Sequence, residues 1–292
     1  GKTSSFADKL KNGLATAAKV GAAALTAAAS GVAFLTKSSL EQYAEYEQLV
    51  GGVDTLFKQS ADIVQQYADN AYKTAGMSAN EYMDTVTSFS ASLLQGLGGD
   101  TAKAAEVANQ AITDMSDNAN KMGTSMQMIQ NAYQGFAKQN YTMLDNLKLG
   151  YGGTQEEMAR LINDSGVLGD AFVATANNIN EVSFDKIIEA IHVVQTNMGV
   201  TGTTAAEAAS TIEGSVASAK SAWTNLITGI ADENADLDTL IGNFVTSAET
   251  VAGNVVPRIT QILSGMGTAI EQLAPILRQR YQRSLLPSSR PS

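Results

Sequence analysis

Glycine cuts this chain into helix-sized lengths, and that punctuation constrains its fold more than any other feature. Breaks fall at Gly96-Leu97-Gly98-Gly99, Gly123, Gly150-Tyr151-Gly152-Gly153, Gly166, Gly199 and Gly202. Glycine reaches the left-handed conformations that end helices without steric penalty. Start signals recur between the breaks. Ser78 with Glu81, Thr154 with Glu157 and Thr204 with Glu207 each spell a Ser/Thr-x-x-Glu capping box, in which a hydroxyl and a carboxylate satisfy free amides at a helix start. Asp100 and Ser183 are further N-cap candidates. No stretch sustains the period-two alternation of a half-buried strand. The sequence therefore predicts an all-α fold, with Ala/Gly-rich helices in a compact multi-helix domain flanked by longer apolar helices.

Apolar spacing points the same way. Tyr82, Val86, Phe89, Leu93 and Leu97 recur at three- and four-residue steps, as do Ile187, Ile188, Ile191 and Val194. Ile259, Ile262, Leu263, Met266, Ile270, Leu273 and Leu277 repeat the pattern near the C-terminus. Each set predicts a stripe that faces a core. No strict heptad persists, so no long coiled coil is encoded. The expected organisation is an apolar helix over 1–37, a helical core domain over 38–231, C-terminal helices over 232–283 and a flexible tail over 284–292. The acidic run from Ala231 to Asp238 suits a loop and a new cap. The C-terminal part reads as two helices joined near Asn254 to Pro257, with Pro257 in the first turn of the second and Pro275 kinking it. Gly1 in place of an initiator methionine suggests a piece of a longer polypeptide.

Composition removes several chemistries. There is no cysteine, which excludes disulfides, thiolate metal sites and thiol nucleophiles. The single histidine, His192, lies in an apolar helical run and reads as a partly buried or rim residue, not a catalytic base. A net charge of −10 argues against binding a phosphate backbone, so no specific nucleic-acid binding is expected. The exception is Arg278, Arg280, Arg283 and Arg290, with no acid after Glu271; these read as a solvated helix end. No cofactor or metal site is apparent. The Gly150 to Thr154 turn lacks the Gly-Lys-Ser/Thr ending of a phosphate loop, so a helix C-cap followed by the Thr154 N-cap is expected. Asp114 and Asp117 share a helix face, as do Asp232 and Asp236, and the expectation for each is a solvated face or a cap. HExxH, GxSxG and EF-hand loops are absent, and no catalytic residue is proposed.

Residues 13–35 are the most apolar stretch, and 20–36 carry no charge. That length is at the lower edge for spanning a bilayer, and alanine contributes little to insertion. Gly13, Gly21 and Gly31 let helices approach closely; with Leu25, Val32 and Phe34 they are candidates for self-association or membrane engagement. Trp223, the only tryptophan, is expected to be a packing anchor.

A more specific signal is the order of motifs from Glu47 to Gly166. The stretch opens Glu47-Gln48-Leu49-Val50-Gly51-Gly52-Val53-Asp54-Thr55-Leu56-Phe57 and continues through Ala71-Tyr72-Lys73-Thr74-Ala75-Gly76-Met77-Ser78 and Ser88-Phe89-Ser90-Ala91-Ser92-Leu93-Leu94-Gln95. Then come Asp114-Met115-Ser116-Asp117-Asn118-Ala119-Asn120-Lys121-Met122-Gly123, Asn131-Ala132-Tyr133-Gln134-Gly135-Phe136-Ala137-Lys138-Gln139-Asn140-Tyr141 and Asp145-Asn146-Leu147-Lys148-Leu149-Gly150-Tyr151-Gly152-Gly153. In this order they resemble the tail tape measure proteins of siphovirus-like bacteriophages and prophages. The resemblance is looser from Met198 to Leu277 and covers 1–37 only in character.

The resemblance implies a structural virion protein that is not an enzyme. Such proteins lie as parallel copies inside the tail tube, set its length, template its assembly and leave ahead of the DNA. Implied partners are the tail tube protein, tail assembly chaperones, distal tail and tip proteins and the host membrane. The implied location is the virion, with the host cytoplasm during assembly. Frequent glycine breaks suggest that 40–230 fold back into an assembly or tail-end element, with the simple ruler elsewhere in the parent protein. The alternatives are a membrane-active, pore-forming helical protein acting through residues 13–35, and a hydrolase hidden among the helices.

Overall fold

The structure, a computed structural model, describes residues 22–169 and 172–284, and within these the side chains from Lys37 to Ile262 together with Ser264. The described residues are all-α and contain no strand. In chain order the helices are α1 (Ala22–Phe57), α2 (Ala61–Thr74), α3 (Ala79–Gly96), α4 (Thr101–Met122), α5 (Met126–Phe136), α6 (Gln155–Ser165), α7 (Phe184–Asn197), α8 (Thr203–Ser210), α9 (Ile212–Ala231) and α10 (Leu237–Ser284).

Most helix ends follow the local chemistry of the sequence. Ser78 makes a complete capping box with Glu81 at the start of α3, and Asp100 caps α4 through the amide of Lys103. Thr154 caps α6 through the amide of Glu157. The Glu157 carboxylate reaches past the cap to the Gly152 amide, 3.0 Å away. Gly123 and Gly166 close α4 and α6 in the left-handed conformation. Gly153 serves a different need, since a Cβ there would lie 2.2 Å from the Thr142 carbonyl oxygen. Only glycine lets those two backbone segments approach so closely.

Helix α4 is the axis of the fold, packing against α1, α2, α3, α5, α7 and α8. Its small residues make this possible: Ala104, Ala105, Ala108 and Ala111 are fully buried, and helices can pack close against them. Around it lies one continuous apolar core that extends from Val53 on α1 to Val194 on α7. The expected stripes on α3 and α7 face that core, with Tyr82, Val86, Phe89 and Leu93 buried beside Ile187, Ile188, Ile191 and Val194. The irregular stretch between α5 and α6 is pinned by Tyr141, Leu144, Leu147 and Leu149, all buried. A second layer, α9 with α10, packs on α1 and α8.

Three expectations are corrected. The C-terminal part is one helix, not two, and Pro257 and Pro275 both lie inside α10, a helix of 48 residues. Proline removes one backbone hydrogen bond and bends a helix, but need not end it. Where a joint was expected, Asn254 instead donates to the carbonyls of Ala209 and Thr211, at 3.4 and 3.1 Å, tying α10 to the α8–α9 bend. Secondly, the first two members of the apolar stripe there, Ile259 and Ile262, are exposed; the side chains of Leu263, Met266, Ile270, Leu273 and Leu277 lie outside the described residues. Thirdly, Thr204 is not the N-cap of α8. That position is held by Gly202, and the Thr204 hydroxyl has no partner.

Gly13 and Gly21 lie outside the described residues. Leu25, Gly31, Val32 and Phe34 lie on the backbone of α1, which runs through residue 37 without a break. Among the described residues no helix is long and apolar enough to cross a membrane.

The division between core and periphery is measurable by urea unfolding. Ile112 on α4 is fully buried, and Ile112→Ala is expected to cost about 2–5 kcal/mol. Ile262→Ala, at a position 60% exposed, should change stability by no more than about 0.5 kcal/mol.

Candidate functional site

Five consecutive residues of α4, Asp114-Met115-Ser116-Asp117-Asn118, are all buried. Four of them are polar, and two are acids that sequence reasoning assigned to a solvated face or a cap. Asp114 is 1% exposed and Asp117 fully buried. The solvated-face expectation is therefore corrected, and the cap expectation holds in an unexpected form. Burying a run this polar is costly unless most of its groups find partners.

Asp117 finds them at the start of α8, far away in sequence. Its two carboxylate oxygens accept from the amides of Gly202, at 2.6 Å, and Thr204, at 2.8 Å. Gly202 has φ of 84°, a left-handed conformation, which turns both amides toward the carboxylate. The carboxylate thus does for α8 what an N-cap side chain does locally, with the helix dipole adding to the attraction. Ser183, by contrast, sits at the N-cap of α7 without making a side-chain cap bond.

Asp114 faces α7. Its oxygens lie 2.9 and 3.0 Å from His192 Nδ1, and the Gln195 amide donates to its carbonyl at 3.1 Å. Asn118 completes the bridge, donating to Gln195 Oε1 at 2.8 Å and to the Leu147 carbonyl at 2.9 Å. Burial pushes the Asp114 carboxyl above its ordinary range, against the opposing pull of His192. The hydrogen bond to Asp114 raises the His192 imidazole, with burial opposing. His192 is a rim residue as expected, its side chain 34% exposed. The pair has the geometry of a base and its orienting acid. The nearby Tyr133 hydroxyl is buried, without a partner, and held far from ionisation by that burial. It supplies no nucleophile. The pair clamps α4 to α7.

On another side α4 borders a cleft of about 580 Å³, which reaches α3, α5, α8 and α9. Ser116 and Thr204 lie on its wall, and the hydroxyls of both are buried without a partner. Glu81, Asp84, Glu207 and Glu213 also line it, and no basic side chain does. Sequence reasoning did not find this cleft, because its walls come from five helices and the turn before α3.

The remaining expected residues are scattered. Trp223 on α9 is 39% exposed and packs against Phe244 on α10 with ring centroids 5.1 Å apart. Asp236 receives the Thr239 amide at 3.2 Å as the first turn of α10 forms. In the Gly150 to Gly153 turn the Glu157 carboxylate occupies the Gly152 amide. Among the described residues no cluster of histidine, cysteine, aspartate and glutamate is placed to hold a metal ion. No protein-family model matches the chain, and neither a curated protein nor a solved structure is significantly similar to it.

The His192–Asp114 clamp carries a pH signature. Both groups are raised in the folded state, so each favours folding at low pH and loses that contribution as pH climbs through its folded value. For His192 the loss begins near the ordinary 6.5 and continues upward. Unfolding free energy, measured at intervals from about pH 6 to pH 8, is expected to fall in the native chain. In His192→Gln that fall should be shallower.

Proposed function

We propose that this chain is part of a bacteriophage tail tape measure protein, and that residues 40–230 form a folded assembly or tail-end element, not a stretch of the ruler. The observation that carries the second part is the length of helix the segment contains. A straight helix rises about 1.5 Å per residue, so 40–230 laid end to end would span about 290 Å. Its longest helix lying wholly inside that range is α4, of 22 residues, or roughly 33 Å. Consecutive helices pack on one another, α3 on α4, α4 on α5 and α6 on α7.

The resemblance supports the first part, and the motifs that carry it have a structural use. Tyr133, Phe136, Tyr141 and Leu147, from the two motifs that flank Met143, are interior residues. Asp114 and Asp117, from the motif before them, are the buried acids of α4. A motif that builds a fold is suited to a defined docking element for tube, tip or chaperone proteins. The role is mechanical, with no chemical step assigned to any residue. Helix α10, about 72 Å long by its 48 residues, is the part of the chain shaped to continue along a tail axis.

Deleting codons 40–230 in frame from the parent gene and measuring tails by electron microscopy tests this. The expected result is failure to start tails, or tails of little-changed length that do not infect. Tails shortened by about 290 Å would make the segment part of the ruler. Normal, infectious tails of unchanged length would overturn the assignment.

A further inference from the structure

We propose that Lys58–Ser60 is a conformational hinge: α1 and α2 are two halves of one helix, folded back on each other by the core and able to join end to end. Nothing in this requires a role in a tail. The apolar pattern runs through the break without changing register. Val53, Phe57, Ala61, Val64, Ala68 and Ala71 follow one another at three- and four-residue steps, and all are buried. That is the spacing of one face of a continuous helix.

The break itself has no local cause. From Val53 to Ala75 there is neither glycine nor proline. Gly51 and Gly52 lie inside α1, ahead of the point where the chain turns, whereas α4 and α6 end at Gly123 and Gly166. At the turn the backbone of Lys58 is left-handed, with φ of 49°, a conformation that is costly for a residue with a Cβ. Gln139 and Lys148 are also left-handed, but their side chains donate to the carbonyls of Asn180 and Met122. Lys58 is exposed, and its side chain makes no such bond among the described residues.

What folds the segment back is tertiary contact. Phe57 is fully buried, and the Ser60 hydroxyl pairs with that of Thr101, 2.9 Å away at the start of α4. Gln65 donates to Asp54 across the bend at 3.3 Å. Tyr46 and Asp69 line one cleft, although a straight helix would set them about 34 Å apart. Local preference asks for one helix and the fold imposes two, with the strain held at Lys58. Burial of the shared apolar face keeps the hairpin the resting state. Loss of the contact with α4 converts it into a rod from Ala22 to Thr74, about 80 Å long. A folded element thereby lengthens without losing helix.

The chain has no cysteine, so spin labels at Glu41→Cys and Asn70→Cys, both exposed positions, read the hinge in the full chain by electron–electron resonance. The hairpin holds these positions roughly 15 Å apart, from the spacing of packed helices and the offset along α1. A straight helix separates them by about 44 Å. The short distance is expected in buffer. At a urea concentration where a second distance is well populated, that distance should be narrow and near the straight-helix value, with no loss of helical circular dichroism. Lys58→Gly relieves the left-handed residue and weakens a continuous helix, so it should lower the long fraction about tenfold or more. Ser60→Leu overfills the contact with Thr101 and favours helix, so it should raise that fraction by a similar factor. If Ser60→Leu does not fold, Lys58→Gly decides alone. A broad second distance accompanied by loss of helix, a short distance alone up to global unfolding, or a long fraction that Lys58→Gly leaves unchanged would overturn the proposal.

Discussion

The fold depends on a buried carboxylate whose hydrogen-bond partners are backbone amides. Asp117, fully buried on α4, holds the start of α8 by accepting from Gly202 and Thr204. Placing an ionised group in the interior costs several kcal/mol unless oriented donors compensate it. A helix N-terminus is one of the few arrangements of neutral groups that can do so. Removing either side of the contact leaves a buried charge or orphaned amides. That constraint fixes where α8 begins, and α9 and α10 follow from α8. The bend between α8 and α9 is so tight that a Cβ on Gly214 would lie 2.5 Å from the Glu207 carbonyl oxygen. Asn254 then binds α10 to the same bend.

About one turn away on α4, Asp114 and Asn118 tie it to His192 and Gln195 of α7. One helix turn and its neighbours thus join the apolar core to the outer layer, and they do so with polar groups. An apolar α4 would pack in several registers at little difference in energy, whereas buried hydrogen bonds accept only one. Such use of polar groups for specificity is attested elsewhere, and the small, alanine-rich surface of α4 makes register a real problem here. The stretch Asp114 to Asn118 lies within one of the motifs that resemble tape measure proteins, which links the resemblance to folding.

How much of this was legible in the sequence depended on range. Features set within one turn of helix were read directly: the caps at Ser78, Asp100 and Thr154, the glycine stops at Gly123 and Gly166, and the stripes of α3 and α7. Features set by residues far apart were not. Nothing near Asp117 announces that its partners are Gly202 and Thr204, and Thr204-x-x-Glu207 imitates a capping box while α8 is capped from α4. The break at Thr211 was missed for a related reason, since Thr211 caps α9 through the Gly214 amide without the usual glutamate. Prolines misled in the other direction. Pro257 and Pro275 mark weak points that α10 passes through, because a long helix can lose a single backbone hydrogen bond and continue. The cleft was invisible because no two of its walls are signalled together.

The most direct measurement is hydrogen exchange on the full chain, native and with Asp117→Ala. If the buried carboxylate organises the fold, amides of α4 from Ala111 to Asn118 exchange most slowly in the native chain. In the variant, protection should fall first at α8 and the start of α9, before the core of α3 and α7 is affected. Unchanged protection at Gly202, Thr204 and α9 in a folded Asp117→Ala chain would contradict the account, leaving the outer layer held by apolar packing alone.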